Sequence, residues 1–127
     1  MLSTALAVFF VFSGLGACNS TPSRPARHTE TGVAAWYGSQ FQGRPTASGE
    51  RFDQNAMTAA HKRLPFGTVV QVTHLENQKT VRVRINDRGP FTEGRIIDLS
   101  HGAAEKLDMI STGLAKVRIE VVSWGGR

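Results

Sequence analysis

Four carboxylate side chains lie where ordinary surface charge does not explain them. Glu50 and Asp53 are in a loop that is rich in small residues. Asp87 directly follows an apolar segment, and Asp98 interrupts another one. A carboxyl group at the end of a strand is partly desolvated, which favours its protonated form. General-acid cleavage of a glycosidic bond requires a protonated carboxyl, so a carboxyl in such a place is a candidate general acid.

Each of these candidates also has a structural explanation. Asn86 and Asp87 stand ahead of Gly89-Pro90 and favour a turn, so Asp87 could simply end a strand. Asp98 fits a buried carboxylate that bonds backbone amides or an arginine. His61 precedes a turn, where a neutral imidazole either orients a substrate group or makes structural hydrogen bonds. The residues alone leave both explanations open.

The sequence does not predict a metal or a cofactor. The histidines at 28, 61, 74 and 101 lack the spacing of metal ligands, and Cys18 is the single cysteine of the chain. There is no nucleophile elbow, phosphate-binding loop or dinucleotide fingerprint. We therefore expect catalysis, if there is any, to rest on ordinary side chains.

The elements that must position these residues are short. Alternating apolar residues predict strands at 68–73, 80–85 and 116–122, and further short strands are expected at 32–37 and 95–99. A short helix is expected over 102–107 with Ser100 as its N-cap, and one helical turn over 56–61. Several short strands separated by turn residues, with one or two short helices, indicate a mainly β protein built as a small barrel.

The N-terminus predicts export and lipid attachment. An apolar segment ends in small residues at Leu15-Gly16-Ala17-Cys18, as a secretory signal does. Cys18 after Leu-Gly-Ala resembles the lipobox of bacterial lipoproteins, where the cysteine becomes the lipidated first residue. We expect a membrane-anchored protein of the cell envelope that faces the periplasm, on the inner or the outer membrane. The expected division is a signal peptide over 1–17, a flexible tether over 18–31 and one barrel domain over 32–124.

The net charge of +5 lies entirely after Cys18. A basic domain attracts nucleic acid, anionic lipid or an anionic polymer, although such a charge can also be a plain solvated surface. Export argues against nucleic acid and favours cell-wall glycan with its carboxylates. A lone cysteine excludes an internal disulfide, and a monomer is the default expectation.

Six motifs occur in order between Val33 and Val122: AWYG (35–38), GRPTASGE (43–50), FD (52–53), LPFGT (64–68), VRINDRGPF (83–91) and GRIIDLS (94–100). Together they resemble the rare lipoprotein A (RlpA) family. The resemblance implies a six-stranded double-psi β-barrel, shared with expansins and some endoglucanases. It also implies a lytic transglycosylase that cleaves the MurNAc–GlcNAc β-1,4 bond of peptidoglycan at the septum, with a preference for strands stripped of stem peptides. Many relatives carry a C-terminal glycan-binding domain, which we do not expect in this chain.

The resemblance implies that Glu50, His61 and Asp87 are functional, with Asp53 beside them. We expect Asp87 to act as the acid and base, while Glu50 and His61 hold the sugar or steady the charge. No cofactor is needed for this chemistry.

The expected substrate contacts are Trp36 and Tyr37 as a glycan platform and Arg84 and Arg88 against the lactyl carboxylate of MurNAc. Two alternatives remain. An inverting hydrolase needs two carboxyls about 6.5–9.5 Å apart, and Asp53 and Asp87 are the candidate pair. A non-catalytic, expansin-like module would bind glycan through the aromatic residues and the basic groove without cutting it.

Overall fold

Alternating apolar residues form a closed barrel of six strands in the computed structural model, which describes residues 28–126. The strands follow the order β1-β5-β2-β4-β3-β6 around the barrel. Within this part of the chain one helix, α1 (His101–Lys106), follows β5 directly, and a 3-10 turn spans Ser39–Phe41. The strands are β1 (Thr29–Tyr37), β2 (Thr58–Ala60), β3 (Val69–His74), β4 (Thr80–Asp87), β5 (Arg95–Ser100) and β6 (Leu114–Ser123).

Two parallel pairs distinguish this barrel from a simple up-and-down one. β1 runs parallel to β5, and β2 runs parallel to β4, whereas the other four neighbouring pairs are antiparallel. Parallel neighbours need crossover connections rather than hairpins, so the chain must pass over the ends of the barrel. The fold is the double-psi β-barrel that the resemblance implied.

The inward faces of the strands supply the core. Most of the apolar positions predicted to face inward are buried, although Val81 and Val121 are only partly so. Ser100 caps α1 as predicted, because its Oγ accepts a hydrogen bond from the Ala103 amide at 3.2 Å. The confirmed inward residues of the predicted strands are Val70, Val72, Val83, Ile85, Val117 and Ile119.

The barrel begins earlier than the sequence predicted. Strand β1 starts at Thr29 rather than at Gly32, because its first residues pair with β6, from Thr29 opposite Glu120 to Gly32 opposite Val117. Residues 29–31, which were assigned to the tether, therefore belong to the barrel. The expected signal peptide, Cys18 and the rest of the tether lie outside the described residues.

The predicted helical turn over 56–61 is wrong. Thr58–Ala60 form strand β2, which lies between β4 and β5. Alanine has the highest helix propensity of the amino acids, but propensity is a weak preference, and pairing with a strand on each side overrides it here. Ala59, for example, is opposite Ile85 on β4 and opposite Leu99 on β5.

A β-bulge at Asn86 extends β4 beyond its predicted end at Ile85. Ala59 pairs with Ile85, but the next residue, Ala60, pairs with Asp87, so Asn86 is an extra residue in β4. Strict alternation would place Asp87 on the same inward face as Ile85, which is fully buried. The extra residue reverses that alternation and turns Asp87 to the outer face, beside Ala60.

Candidate active site

A cleft of about 360 Å³ lies between the outer wall of the barrel and the loop that follows β1. The barrel wall contributes residues from four strands, and the loop covers them from the other side. Residues of the wall are Tyr37, Ala60, Asp87 and Asp98, with Arg88 just after β4. Residues of the loop are Phe41, Arg44, Pro45, Thr46 and Phe52.

Asp87 and Asp98 flank Ala60 on the cleft wall. Ala60 of β2 pairs with Asp87 on one side and with Asp98 on the other. Two strand spacings therefore separate the α-carbons of the two aspartates, about 10 Å. Because Ala60 presents only a methyl group, the wall between the carboxylates is open to a ligand. Ala59, by contrast, packs in the core.

The Asp87 carboxylate is held by one of its oxygens. Oδ1 accepts hydrogen bonds from the backbone amides of Ala47 and Arg88, each at 2.9 Å. Among residues 28–126 both bonds to this carboxylate end on Oδ1, which leaves Oδ2 for a ligand. The Asp87 side chain is thus oriented by fixed backbone donors.

Asp98 is the second carboxylate of the cleft. Its Oδ1 lies 2.5 Å from Nη2 of Arg95, and its side chain is 19% exposed. The sequence predicted that Asp98 is a structural carboxylate bonded to backbone amides or to an arginine. The contact with Arg95 confirms the arginine partner. The same residue nevertheless lines the cleft opposite Asp87.

Tyr37 supplies a buried hydroxyl to this cleft. Its ring contacts Phe52 at 4.5 Å and Phe41 at 5.7 Å between centroids, and its hydroxyl has no hydrogen-bond partner within the described chain. Burial raises the pKa of the Tyr37 phenol, and the charges of Asp87 and Asp98 raise it further. The phenol therefore keeps its proton and can donate a hydrogen bond to a ligand.

Trp36 lies elsewhere, because neighbouring residues of a strand point to opposite faces. Trp36 packs against the barrel core, and its ring meets His101 edge-on at 5.2 Å. Only Tyr37 of the two residues predicted as a glycan platform is therefore part of the cleft.

Glu50 and Arg84 form a bidentate ion pair outside the cleft lining. The two carboxylate oxygens of Glu50 each accept a hydrogen bond at 2.7 Å from the guanidinium of Arg84. The hydrogen bonds from Arg84 lower the pKa of Glu50, with a smaller contribution from Asn86. Because Arg84 is on β4, the pair fastens the covering loop to the strand that carries Asp87.

His61 is buried and faces away from the cleft. Its Nδ1 accepts hydrogen bonds from the amides of Arg63 and Leu64, each at 3.0 Å, so the ring proton is on Nε2. Nε2 donates to Oε2 of Glu30 at 2.7 Å. This contact lines a separate cavity of about 170 Å³, between β1 and the turn after β2.

Arg88 lines the cleft with its guanidinium already engaged. Nη1 donates to the carbonyl of Leu64 at 2.9 Å, and the guanidinium lies 3.9 Å from the centre of the Phe66 ring. Asp53 is exposed and is not part of the cleft lining. Its Oδ1 accepts a hydrogen bond from the Asn55 amide at 3.0 Å.

The described residues contain no group of three or more histidine, cysteine or acidic side chains placed to hold a metal ion. No helix between residues 28 and 126 has the length and hydropathy of a membrane span.

Comparison with known families identifies the domain. The model of the family described as lytic transglycolase matches residues 29–119, which is most of the chain. The chain belongs to this family. The match begins at the first residue of β1 and ends within β6, so it covers most of the barrel and the whole cleft.

The relatives of this lytic transglycolase domain are longer proteins. The chain is 56% identical over 97 residues to the endolytic peptidoglycan transglycosylase RlpA of Campylobacter jejuni, which covers 76% of this chain and 35% of the relative. It is 55% identical over 97 residues to the protein of the same name from Neisseria meningitidis, covering 76% of this chain and 41% of the relative. The chain therefore spans less than half the length of these curated relatives.

Among solved structures, the lytic transglycolase domain is similar to an expansin. A variant of the Clavibacter michiganensis expansin, solved in complex with cellohexaose, superimposes with a TM-score of 0.60 at 25% identity. The similarity covers 79% of this chain and 54% of the expansin.

The structure brings together a part of the site that the sequence predicted. Asp87, Tyr37 and Arg88 line the cleft, whereas Glu50, His61, Asp53, Trp36 and Arg84 do not. The catalytic roles of Glu50, His61 and Asp53 stay predictions. Sequence reasoning missed Phe41 and Arg44, whose guanidinium lies 5.7 Å from the Phe41 ring, although Arg44 stands in one of the matching motifs.

The burial of His61 predicts a pH-dependent stability. Burial lowers the pKa of His61, and the charges of His28 and Arg88 lower it further, although the bond to Glu30 opposes them. Below a pH of about 6.5 the unfolded chain then binds more protons than the folded one. The stability that the neutral ring contributes is complete above that pH and is lost as the pH falls toward the folded pKa.

Urea unfolding measured between pH 7.5 and 5 should therefore show stability falling with pH, by at most about 1.4 kcal/mol per pH unit for this one group. His61→Gln should remove that component of the slope. His101→Gln, which changes a half-exposed histidine on α1, should keep it. Equal slopes for wild type and His61→Gln would contradict the assignment.

Proposed function

We propose that the cleft binds glycan strands of peptidoglycan and cleaves their MurNAc–GlcNAc β-1,4 bonds by lytic transglycosylation, leaving 1,6-anhydro-MurNAc ends. The observation that carries this proposal is the Asp87 carboxylate, which is turned onto the cleft by the bulge and fixed through Oδ1 alone. Membership of the lytic transglycolase family and the names of the relatives support the substrate.

The reaction needs one acid–base group. Protonated Asp87 gives its proton from Oδ2 to the glycosidic oxygen as the bond to C1 of MurNAc breaks. The C6 hydroxyl of the same MurNAc attacks C1 and closes the 1,6-anhydro ring, and its proton passes to the carboxylate. Asp87 is then protonated again, and no water is consumed.

The other residues of the cleft would hold the sugar. The rings of Tyr37 and Phe41 offer apolar faces, and the Tyr37 hydroxyl offers a donor. Arg44 is the cation for the lactyl carboxylate, because it is exposed and has no carboxylate partner in the described chain. Arg84 is unsuited to that role, since Glu50 already occupies its guanidinium.

A non-catalytic, expansin-like glycan-binding module is the second candidate. The similarity to an expansin solved with an oligosaccharide favours it, because the same cleft could hold a strand without cutting it. An inverting hydrolase would need two carboxyls in the cleft. Asp98, rather than the predicted Asp53, is the residue that shares the cleft with Asp87.

Digestion of denuded glycan strands by the purified protein, with products identified by mass spectrometry, separates these functions. We expect anhydro products one water lighter than hydrolysis products, and a loss of at least about a hundredfold in rate in Asp87→Asn. Asp108→Asn is the matched control. Asp108 is exposed, pairs with Lys79 and has a φ of 56°, which asparagine tolerates.

Free reducing ends would identify a hydrolase, and retention on glycan without products would identify a binding module. Undiminished anhydro products from Asp87→Asn would refute the role of Asp87.

Arg44→Ala tests the contact with the lactyl group. Its affinity for MurNAc-containing strands should fall about tenfold, since a hydrogen bond to a charged group contributes about 1.5 kcal/mol or more. Affinity for chitooligosaccharides, which lack the lactyl carboxylate, should stay the same. Both affinities are measured by titration calorimetry in proteins that also carry Asp87→Asn, so that the glycan is not cleaved during the measurement. Equal losses for both ligands would show that Arg44 acts through packing rather than through charge.

We also propose that the protein is a lipoprotein, with residues 1–17 removed and Cys18 lipidated, held on a membrane and facing the periplasm. The sequence Leu15-Gly16-Ala17-Cys18 supports this proposal. Cells fed labelled palmitate should incorporate label into the wild-type protein and none into Cys18→Ser. Label that persists in Cys18→Ser, or that is absent from wild type, would contradict it.

A further inference from the structure

We infer that Glu30 and His61 are positioning residues that hold Asp87 in place from the side of the barrel wall opposite the cleft. The inference rests on the proposed function for its kinetic consequences, but its structural part stands without it. It gives Glu30 a role, although the sequence placed this residue in a tether, and it makes His61 a support rather than a proton carrier.

The first contact of the network joins β1 to the turn after β2. Oε2 of Glu30 accepts hydrogen bonds from Nε2 of His61 at 2.7 Å and from Nε2 of His28 at 2.9 Å. Burial raises the pKa of Glu30, but the hydrogen bonds from the two histidines outweigh it and the net effect lowers the pKa. Because the His61 side chain is only 4% exposed, Glu30 is the partner that satisfies its buried N–H.

The second contact fixes the turn itself. With Nε2 held by Glu30, the other ring nitrogen, Nδ1, accepts from the amides of Arg63 and Leu64, each at 3.0 Å. One side chain thereby sets the conformation of residues 61–64. If the ring lost Glu30 and rotated, the two amides would lose their acceptor.

The third contact reaches the catalytic segment. The His61 amide donates to the carbonyl of Asp87 at 3.1 Å. Nη1 of Arg88 donates to the carbonyls of Leu64 at 2.9 Å and His61 at 3.4 Å. The amide of Arg88 is, in turn, one of the two donors that hold Oδ1 of Asp87. Glu30 thus connects to the Asp87 carboxylate through a continuous set of contacts.

The position of His61 argues against direct catalysis. Its ring and Glu30 line the separate cavity with Lys62, Arg63 and Ile96, and none of these five residues lines the cleft. Both ring nitrogens are occupied, so a proton transfer in the cleft would require the ring to abandon Glu30 and both amides.

Variants of Glu30 test the network in the purified protein. Glu30→Gln keeps an oxygen acceptor for Nε2–H of His61, whereas Glu30→Ala removes it. Glu105→Ala is the matched control, because Glu105 forms another acid–histidine pair, with His101 at 3.4 Å, on α1. Amide hydrogen exchange at Arg63, Leu64 and Arg88 reports the structure without any need for turnover.

We expect exchange at these three amides to rise at least about tenfold in Glu30→Ala and to stay within about twofold of wild type in Glu30→Gln and Glu105→Ala. On denuded glycan, kcat should fall about tenfold in Glu30→Ala with KM within about twofold, because Asp87 loses its orientation. Unchanged exchange in Glu30→Ala would overturn the inference. Absence of turnover in wild type would instead refute the proposed function and leave the exchange result decisive.

Variants of His61 separate support from proton transfer, and they serve if Glu30→Ala does not fold. His61→Asn places an amide oxygen near the position of Nδ1 and can still accept from Arg63 and Leu64, although it cannot titrate. We expect His61→Asn to retain kcat within about tenfold of wild type and to keep the amides of Arg63 and Leu64 protected from exchange. His61→Ala should lose both the turnover and the protection. Loss of turnover in His61→Asn or Glu30→Gln with protected amides would overturn the inference.

Discussion

One extra residue in β4 determines what this barrel can do. Without the bulge at Asn86, alternation would direct Asp87 into an apolar core, where an unpaired carboxylate is strongly unfavourable. With it, Asp87 faces outward beside Ala60, and Asp98 faces the same cleft from the opposite side. The barrel thus keeps a continuous apolar interior and still presents two carboxylates on one wall. The orientation of Asp87 toward the cleft follows from this change of register.

The segments around Asp87 are restrained from two directions. On the cleft side, the Glu50–Arg84 pair and the amide of Ala47 hold the covering loop against the end of β4. On the other side, the Glu30–His61 contact fixes the turn that supports Arg88. An exposed ion pair adds little stability, so we infer that the Glu50–Arg84 pair serves mainly to fix the position of the covering loop relative to β4. We propose that these residues divide their work, with Asp87 at the chemistry and Glu50 and His61 setting its position.

The sequence predicted the elements better than their assembly. Strands β3, β4 and β6 and the Ser100 cap follow from local alternation and capping chemistry, which are properties of neighbouring residues. Strand β2 did not, since its three residues are extended only because β4 and β5 pair with them. The bulge, the place of Asp98 in the cleft and that of Arg44 depend on register across strands and on a loop folding over the wall, which no local pattern encodes. Tyr37 could be predicted from its aromatic side chain, whereas the prediction of Asp87 needed a family resemblance in addition to a weak local signal.

The most direct test of the role of Asp87 is a crystal structure of the Asp87→Asn variant with a denuded glycan tetrasaccharide bound. We expect sugars between the barrel wall and the covering loop, in contact with Tyr37 and Phe41, and the side chain of residue 87 within hydrogen-bonding distance of a glycosidic oxygen. A glycan bound on another face of the barrel, or a cleft glycan with residue 87 turned away from it, would contradict the claim that the bulge builds the active site.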